Sequence, residues 1–393
     1  MSAAAPLRIA VIAGEESGDL LGADLVRALA DAFGHAPQLV GVGGQHLAGL
    51  GLRSLFDPEE IALMGFTAVV ARLPQLARRI ATTARALAEI RPDVLITIDS
   101  PDFSLRVAKS LRKRAPDIPI VHYVCPSVWA WRPGRAARMA AFVDHVLCVL
   151  PFEVDVLRRL GGPPATYVGH RLVHDPAIKA AAARQRAKKP AMAGEAVKLL
   201  VLPGSRRSEL RRLTEPFGKT VALMQQRGLK LDVTIPTLPH LQETLATTTR
   251  DWASVPNIVT TTQCKYDAFG QAHAALAASG TVSLELALAG VPLVSCYKAD
   301  LLFKFAYSFL TTWSGSLPNL VADYPVVPEY YDAFVSPDLL ARQLERLVAD
   351  TPQRTAQRAG FAEIARAMAT ERPAGELAAE TVKTLLNQRK TAP

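Results

Sequence analysis

The chain has 393 residues, 49% of them hydrophobic and 21% charged, which excludes wholesale disorder and exceeds what one ordinary core organises, so two domains are expected. Lys+Arg 45 against Asp+Glu 36 leaves a net charge of +9, favouring anionic partners such as phosphates, nucleic acid or an anionic membrane surface. The cysteines Cys125, Cys148, Cys264 and Cys296 lie far apart in sequence with no CxxC pair, which argues against a disulfide framework or structural zinc and fits a reducing compartment.

In chain order, MSAAAPLRIAVIAGEESGD carries only the short apolar run IAVIA, too brief for a signal peptide, and reads as a first strand entering a turn and a helix. Glu15, Glu16, Ser17, Gly18 and Asp19 occupy that turn. They suit sugar hydroxyls, or else Ser17 caps the helix and Asp19 pairs with its dipole. The glycine cluster GVGGQHLAGLG (41–51) leaves GxGxxG incomplete, because His46 stands where the third glycine is required, and this disfavours a nicotinamide dinucleotide. In MGFTAVVARLPQLARRI (64–80), Phe66, Val69, Val70, Leu73, Leu76 and Ile80 recur at helical spacing around Pro74, with Arg72, Arg78 and Arg79 at the rim. Such a stripe describes an interfacial membrane element or a buried amphipathic helix.

The segment PDVLITIDSPDFSLRVAKSLR (92–112) reads as a strand ending at Asp99, with Ser100 as N-cap, Pro101 at the first helical position and Asp102 in the first turn. The helix dipole accounts for Asp102. Asp99, at a strand's carboxyl end, is placed to be a general base. His122, in VHYVCPSVWAWR ahead of Trp129 and Trp131, suits either a ligand contact or core packing. His170 and His174 have metal-ligand spacing but no HExxH surroundings, which favours structural contacts. No metal site is expected.

Short apolar runs alternating with Ala/Leu/Arg-rich helical stretches mark an α/β chain with parallel sheets. That rhythm breaks in PAIKAAAARQRAKKPAMAGEA, so the expected division is 1–175, a linker at 176–196, a second domain at 197–365 and a helical tail at 366–393. The second half offers two glycine turns after strands. VLPGSRRSELRR (201–212) brings Gly204, Ser205 and Arg206 to a helix start, as a phosphate cradle with a guanidinium clamp or as a simple capped turn. AASGTVSLELALAGVP (277–292) does the same with Ser279, Gly280 and Thr281. Glu285, among leucines in the following helix, calls for a hydrogen-bonding partner such as ribose hydroxyls unless it lies on an exposed stripe. The longest charge-poor stretch, 272–297, is broken by polar residues and Pro292, so no membrane span is expected.

Taken together, AGEESGDLLGA, LMGF, PDVLITIDSPDF, HYVCPSVWAWR, LPFE, YVGHRL, LPGSRRSE, ASGTVSLELAL and SLPNL, in this order from end to end, make the chain resemble the lipid-A-disaccharide synthases. The resemblance implies a GT-B fold of two Rossmann-like domains facing across a cleft. It implies inverting transfer of 2,3-diacylglucosamine from UDP-2,3-diacylglucosamine to 2,3-diacylglucosamine 1-phosphate (lipid X), with no cofactor and no required metal. Asp99 then matches the family's candidate base. Arg206 matches the diphosphate arginine, Glu285 the ribose ligand and Asn319 in SLPNL a further donor-site residue. Gly204, Ser205, Ser279, Gly280 and Thr281 complete the donor side; Glu15, Ser17, Gly18 and His122 fall to the acceptor side.

With acylated substrates, the stripe Phe66, Val69, Val70, Leu73 and Leu76 becomes an expected docking surface for the cytoplasmic face of the inner membrane. A homodimer, with exchanged carboxyl-terminal segments, is also implied. Other GT-B UDP-sugar enzymes, such as a UDP-N-acetylglucosamine 2-epimerase, would share the phosphate turns without needing the stripe. A non-enzymatic basic protein is the remaining alternative. Nucleic acid is not an expected partner, because aromatics make up only 6% of the chain and no basic run is interleaved with them.

Overall fold

The computed structural model describes residues 6–60, 73–192, 194–299 and 311–391. Phe66, Val69 and Val70 of the apolar stripe lie outside these residues. Two compact units emerge, one of Met1–Arg171 with Thr370–Pro393 and one of Leu172–Ala369.

The first unit holds a seven-stranded sheet of β1 (Arg8–Ala13), β2 (Gln38–Val42), β3 (Arg53–Ser54), β4 (Val94–Ile98), β5 (Ile120–Tyr123), β6 (His145–Cys148) and β7 (Ala165–Tyr167). Their spatial order is β3-β2-β1-β4-β5-β6-β7, and every pairing is parallel. Helices cover both faces of such a sheet, so its central strands are unbroken apolar runs: VLITI is buried throughout. The chain leaves β1 for one side of the sheet and later enters β4 on the other, which puts the switch point between these two strands. Ligands bind at the carboxyl ends of strands there.

The second unit repeats the design with β8 (Val197–Leu202), β9 (Leu231–Pro236), β10 (Asn257–Val259), β11 (Ala274–Ala278), β12 (Leu293–Tyr297) and β13 (Glu329–Tyr331). The order β10-β9-β8-β11-β12-β13 puts its switch point between β8 and β11. The two glycine turns follow those two strands.

The units differ from the sequence-based division in two places. The stretch expected as a linker contains a helix, Pro176–Ala187, started by Asp175, whose Oδ1 accepts from the amides of Ala177 at 2.8 Å and Ile178 at 3.3 Å. Its buried Gln185 donates to the carbonyls of Phe269 at 2.7 Å and Ala272 at 2.8 Å, which ties it into the second unit. The tail is likewise not a free appendage. Helix Ala374–Thr391 returns to the first unit, where Lys383 donates to the carbonyl of Ala32 at 2.6 Å and Arg389 to that of Asp117 at 2.9 Å. Basic side chains meeting carbonyls and Asp144 fix its seat.

The glycine cluster at 41–51 also has a structural cause. Gly41 has φ 128°, and a Cβ there would sit 1.9 Å from the carbonyl oxygen of Val11. Only glycine allows β2 to lie this way beside β1.

Candidate functional site

In the first unit, Asp99 directly follows β4 with φ 47°, and Ser100 follows at φ 43°. Two successive non-glycine residues in left-handed backbone are costly and persist only where neighbours hold them. Here the amide of Asp99 donates to the carbonyl of Tyr123 at 3.0 Å, and the hydroxyl of Ser104 donates to the carbonyl of Asp99 at 2.6 Å. Val124, at the end of neighbouring β5, has φ 75°, so adjacent strand ends share the strain. Burial raises the pKa of Asp99 above its ordinary value, against a smaller lowering by the backbone of Ser100. A half-buried carboxylate that is reluctant to ionise suits proton abstraction. Ser100 occupies the cap position as expected, but its side chain caps nothing.

Across the switch point, Glu15 stands at the N-cap of helix Glu16–Phe33 without a side-chain capping bond. Ser17 is exposed and Gly18 buried, and a Cβ on Gly18 would lie 3.6 Å from the carbonyl of Ile98. The expected capping by Ser17 is absent. Asp19, expected to serve its own helix dipole, instead turns to the glycine cluster. Its Oδ1 accepts from the amide of Gly44 at 2.6 Å and its Oδ2 from that of His46 at 2.7 Å. Nothing local in sequence signals a bond spanning that separation.

His122 is completely buried in β5, with Nδ1 2.8 Å from the hydroxyl of Thr97. Burial, aided by the charge of Arg135, pushes its pKa down to about 3. The imidazole is therefore a neutral core group, which corrects its placement on the acceptor surface. Leu76 is corrected in the same way: it packs in the first unit's core and presents no docking surface. Leu73 opens the helix Leu73–Ile90.

Cys125 and Cys148, distant in sequence, converge at the ends of β5 and β6 with Glu153, all three buried and with ligand atoms within 4.8 Å of one another. A hydrogen bond with Cys148 and then burial raise the pKa of Cys125, and burial raises that of Glu153 to about 8. The carboxyl of Glu153 accepts from the amides of Val149 at 3.1 Å and Leu150 at 3.0 Å. Enclosed in the first unit, the two cysteines and Glu153 are buried parts of its interior.

In the second unit, the turn after β8 has Gly204 at φ 124°, where a Cβ would lie 2.3 Å from a Glu209 carboxylate oxygen. Glu209 fills the cradle itself: it accepts from the amides of Ser205 at 2.9 Å and Arg206 at 3.2 Å. Those amides are thus occupied by an internal carboxylate, a difference from the expected open phosphate cradle. The guanidinium of Arg206 remains outward, with 58% of the side chain exposed, 3.5 Å from Glu209.

The turn after β11 is open. Among the described residues, no atom beyond its chain neighbours lies within 4 Å of a Cβ placed on Gly280, and this residue stands at the N-cap of helix Thr281–Ala289, next to exposed Thr281. Ser279 donates to the carbonyl of Gly315 at 3.2 Å. Glu285 is nearly buried and ion-paired with Lys265, so its partner within the chain is an ammonium group.

Asn319 does not face a ligand. It is 1% exposed, its amide donates to the carbonyl of Val327 and to Glu329, and its oxygen accepts from the amides of Val326 and Val327. All four of its hydrogen-bonding positions are filled. Its role is to hold Glu329, which with Tyr331 grips the amide of Gly315 and so supports the turn at Ser279. Sequence reasoning missed Glu329, Tyr331 and Lys265 because their partners lie on other elements. Glu209 left a signal, an acid in the first turn of a helix.

The family model described as Lipid-A-disaccharide synthetase matches residues 9–382. The chain belongs to the lipid-A-disaccharide synthase family. It is therefore a glycosyltransferase of lipid A assembly. Among curated relatives, the lipid-A-disaccharide synthase of Nitrobacter winogradskyi is 47% identical over 95% of this chain and 94% of its own. That of Rhodospirillum centenum is 42% identical over 98% and 96%.

Solved structures place the family member in the GT-B fold. A putative UDP-N-acetylglucosamine 2-epimerase from Listeria monocytogenes superposes with TM-score 0.61 at 12% identity, over 99% of this chain and 98% of that one. The calicheamicin glycosyltransferase CalG4 gives 0.61 at 16% identity, over 99% and 100%. At such identities the likeness concerns the fold alone. Among the described residues, no helix of the synthase is long and apolar enough to cross a membrane.

Proposed function

We propose that the chain joins two acylated glucosamines, transferring 2,3-diacylglucosamine from UDP-2,3-diacylglucosamine to the 6-hydroxyl of lipid X and releasing UDP. The observation that carries the assignment of roles is Asp99, a half-buried carboxylate of raised pKa held in strained backbone at the switch point of the first sheet. Asp99 takes the proton of the acceptor hydroxyl as its oxygen attacks the anomeric carbon from the face opposite UDP. A single displacement inverts that carbon and gives the β-1,6 linkage. Glu15, Ser17 and Gly18, across the switch point from Asp99, receive the acceptor sugar.

Charge developing on the leaving diphosphate meets the outward guanidinium of Arg206 and the open amides at Gly280 and Thr281, donors fixed before reaction. Supporting this are the position of both turns at the second sheet's switch point and, among the described residues, the open space at Gly280. Ribose hydroxyls would share the carboxylate of Glu285 with Lys265.

The deciding experiment is UDP release from both lipids in detergent, with EDTA present, by the native chain and Asp99→Ala. Turnover that needs both lipids and collapses in the variant is expected. Silence from a well-folded native chain would overturn the assignment, and full activity in Asp99→Ala would move the base elsewhere.

The docking surface for the inner membrane's cytoplasmic face is the stripe Phe66, Val69, Val70 and Leu73, helped by the net charge of +9 against anionic lipid. Replacing Val69 and Leu73 by serine should release the chain from anionic vesicles, and undiminished binding would refute this placement. The same reading includes a homodimer, which sedimentation at micromolar concentration tests.

A further inference from the structure

The loop after β5 carries an aromatic and arginine cluster that none of the steps above uses. Trp131 keeps 38% of its surface exposed. The guanidinium carbon of Arg132 lies 4.1 Å from the Trp131 ring centroid, and that of Arg135 lies 5.8 Å from it. Both cations converge on one carboxylate: Arg135 donates to Oδ1 of Asp102 at 2.8 Å, and Arg132 lies 3.9 Å from the same oxygen. Arg132 also has φ 53°, left-handed backbone that is costly for arginine and fixes where its side chain departs.

Two guanidinium groups against one carboxylate leave an uncompensated positive charge at a surface that stays open to water. Burial of a closed ion pair does not account for it, since the Arg132 side chain is 53% and that of Asp102 61% exposed. The cluster's place in the fold is equally specific. Asp102 sits three residues beyond Asp99, in the first turn of helix Pro101–Arg114. Strands β4 and β5 are neighbours, with Ile98 paired to Tyr123, so the loops carrying Asp99 and Trp131 leave the same edge of the sheet. Under Arg135's influence lies His122, whose Nε2 is buried without a hydrogen-bond partner.

We propose that Arg132 and Arg135, stacked against Trp131 and braced by Asp102, form the seat for the phosphate monoester of the acceptor sugar. The inference rests on the transferase reading and deepens it. The acceptor's phosphate on C1 and its reacting 6-hydroxyl, carried on C5, branch from the two carbons that flank the ring oxygen, so a cation seat beside the Asp99 turn brings the hydroxyl toward the base. A guanidinium offers a planar fork matched to two phosphate oxygens. The Trp131 face holds Arg132 in place by cation–π attraction, and Asp102 holds the Arg135 fork. The phosphodiester of an anionic lipid headgroup has related chemistry and is the rival source of the anion.

The test compares lipid X with its dephosphorylated counterpart, 2,3-diacylglucosamine, as acceptors for the full-length chain in detergent. The native chain should prefer the phosphorylated acceptor. Arg132→Gln, a surface change, should raise KM for lipid X by about tenfold with kcat within about twofold, and lower the preference by the same factor. Arg132→Lys, which keeps the charge and loses the fork, should fall between, and Arg135→Gln should repeat the loss of preference.

An unchanged preference in all three variants would overturn the proposal, as would an equal loss on both acceptors. Loss of binding to anionic vesicles without any change in acceptor preference would assign the seat to a headgroup and also refute it. A native chain that turns over both acceptors equally refutes the seat alone. A native chain inactive with lipid X refutes the transferase reading beneath it.

Discussion

The amide of Asp99 donates to the carbonyl of Tyr123 at 3.0 Å, which stitches the loop after β4 to the end of β5. This bond continues the ladder one residue past β4 while Asp99 itself turns to φ 47°. The backbone of Asp99 is thus held by its neighbour strand, and its side chain is set by a conformation that a free loop would abandon. If Asp99 is the base, as proposed, it needs no backbone reorganisation when substrate arrives.

Its titration gives the first prediction. Asp99 must be ionised to accept a proton, and burial raises its pKa from 3.8. The acid limb of kcat/KM should therefore lie above the ordinary aspartate range, with activity rising as pH rises through it. Measuring with dephosphorylated acceptor removes the titration of the substrate phosphate. Asp99→Asn should erase the limb and lower the rate by about 10²–10⁴-fold. A limb at the ordinary carboxylate position would contradict the burial argument.

The phosphate turn gives a second. The carboxylate of Glu209 holds the amides of Ser205 and Arg206 and lies near the Arg206 guanidinium, so it places negative charge where a diphosphate is proposed to sit. Glu209→Gln retains an oxygen for the amides and removes the charge. UDP should bind tighter by several-fold, about 1 kcal/mol for a partly exposed charge. Arg206→Ala should weaken UDP and lower kcat by about 10²-fold. Calorimetric titration with UDP decides, and weaker binding in Glu209→Gln would show that the carboxylate supports the site.

Much of this fold is legible in sequence because its signals are local. The central strands are mostly apolar runs, Asp99 directly follows one of them, and both glycine turns follow others. What escaped is what needs a distant partner: Asp19 with Gly44, Lys265 with Glu285, and Asn319 with Glu329. An alanine-rich stretch resembles a linker until the carbonyls of Phe269 and Ala272 are seen to receive Gln185. The acceptor assignment of His122 failed for a related reason, since an apolar strand with one imidazole does not reveal that the ring is buried with its Nδ1 against Thr97 of the adjacent strand.

Asn319 separates ligand from scaffold experimentally. Its four internal hydrogen bonds are buried or partly buried, and deletion leaves two amides, the carbonyl of Val327 and a carboxylate oxygen of Glu329 each short of a partner. Asn319→Ala should cost about 2–4 kcal/mol of stability, seen as a lower denaturation midpoint. UDP affinity should fall secondarily, as Glu329 loosens its hold on Gly315. Full stability with lost UDP binding would return Asn319 to the donor site as a direct ligand.

Glu153 offers a pH test away from the chemistry. Burial raises its pKa from 4.5 to about 8, overcoming the lowering by the amides of Leu150 and Val149 and by the indole of Trp129. The folded chain then binds this proton more tightly than the unfolded chain does. Its contribution to stability is complete below the unfolded value and is lost as pH rises toward and through about 8. Between pH 5 and 8 the native chain should lose up to ~1.4 kcal/mol per pH unit from this group. Glu153→Gln keeps an acceptor for both amides and has no proton to lose, so its melting temperature should fall less over the same range. The thiols of Cys125 and Cys296, raised by their surroundings, stay protonated throughout and do not confuse the comparison. Parallel melting curves for the two chains would mean that Glu153 is already ionised in the fold at pH 5, with its two amide donors outweighing burial.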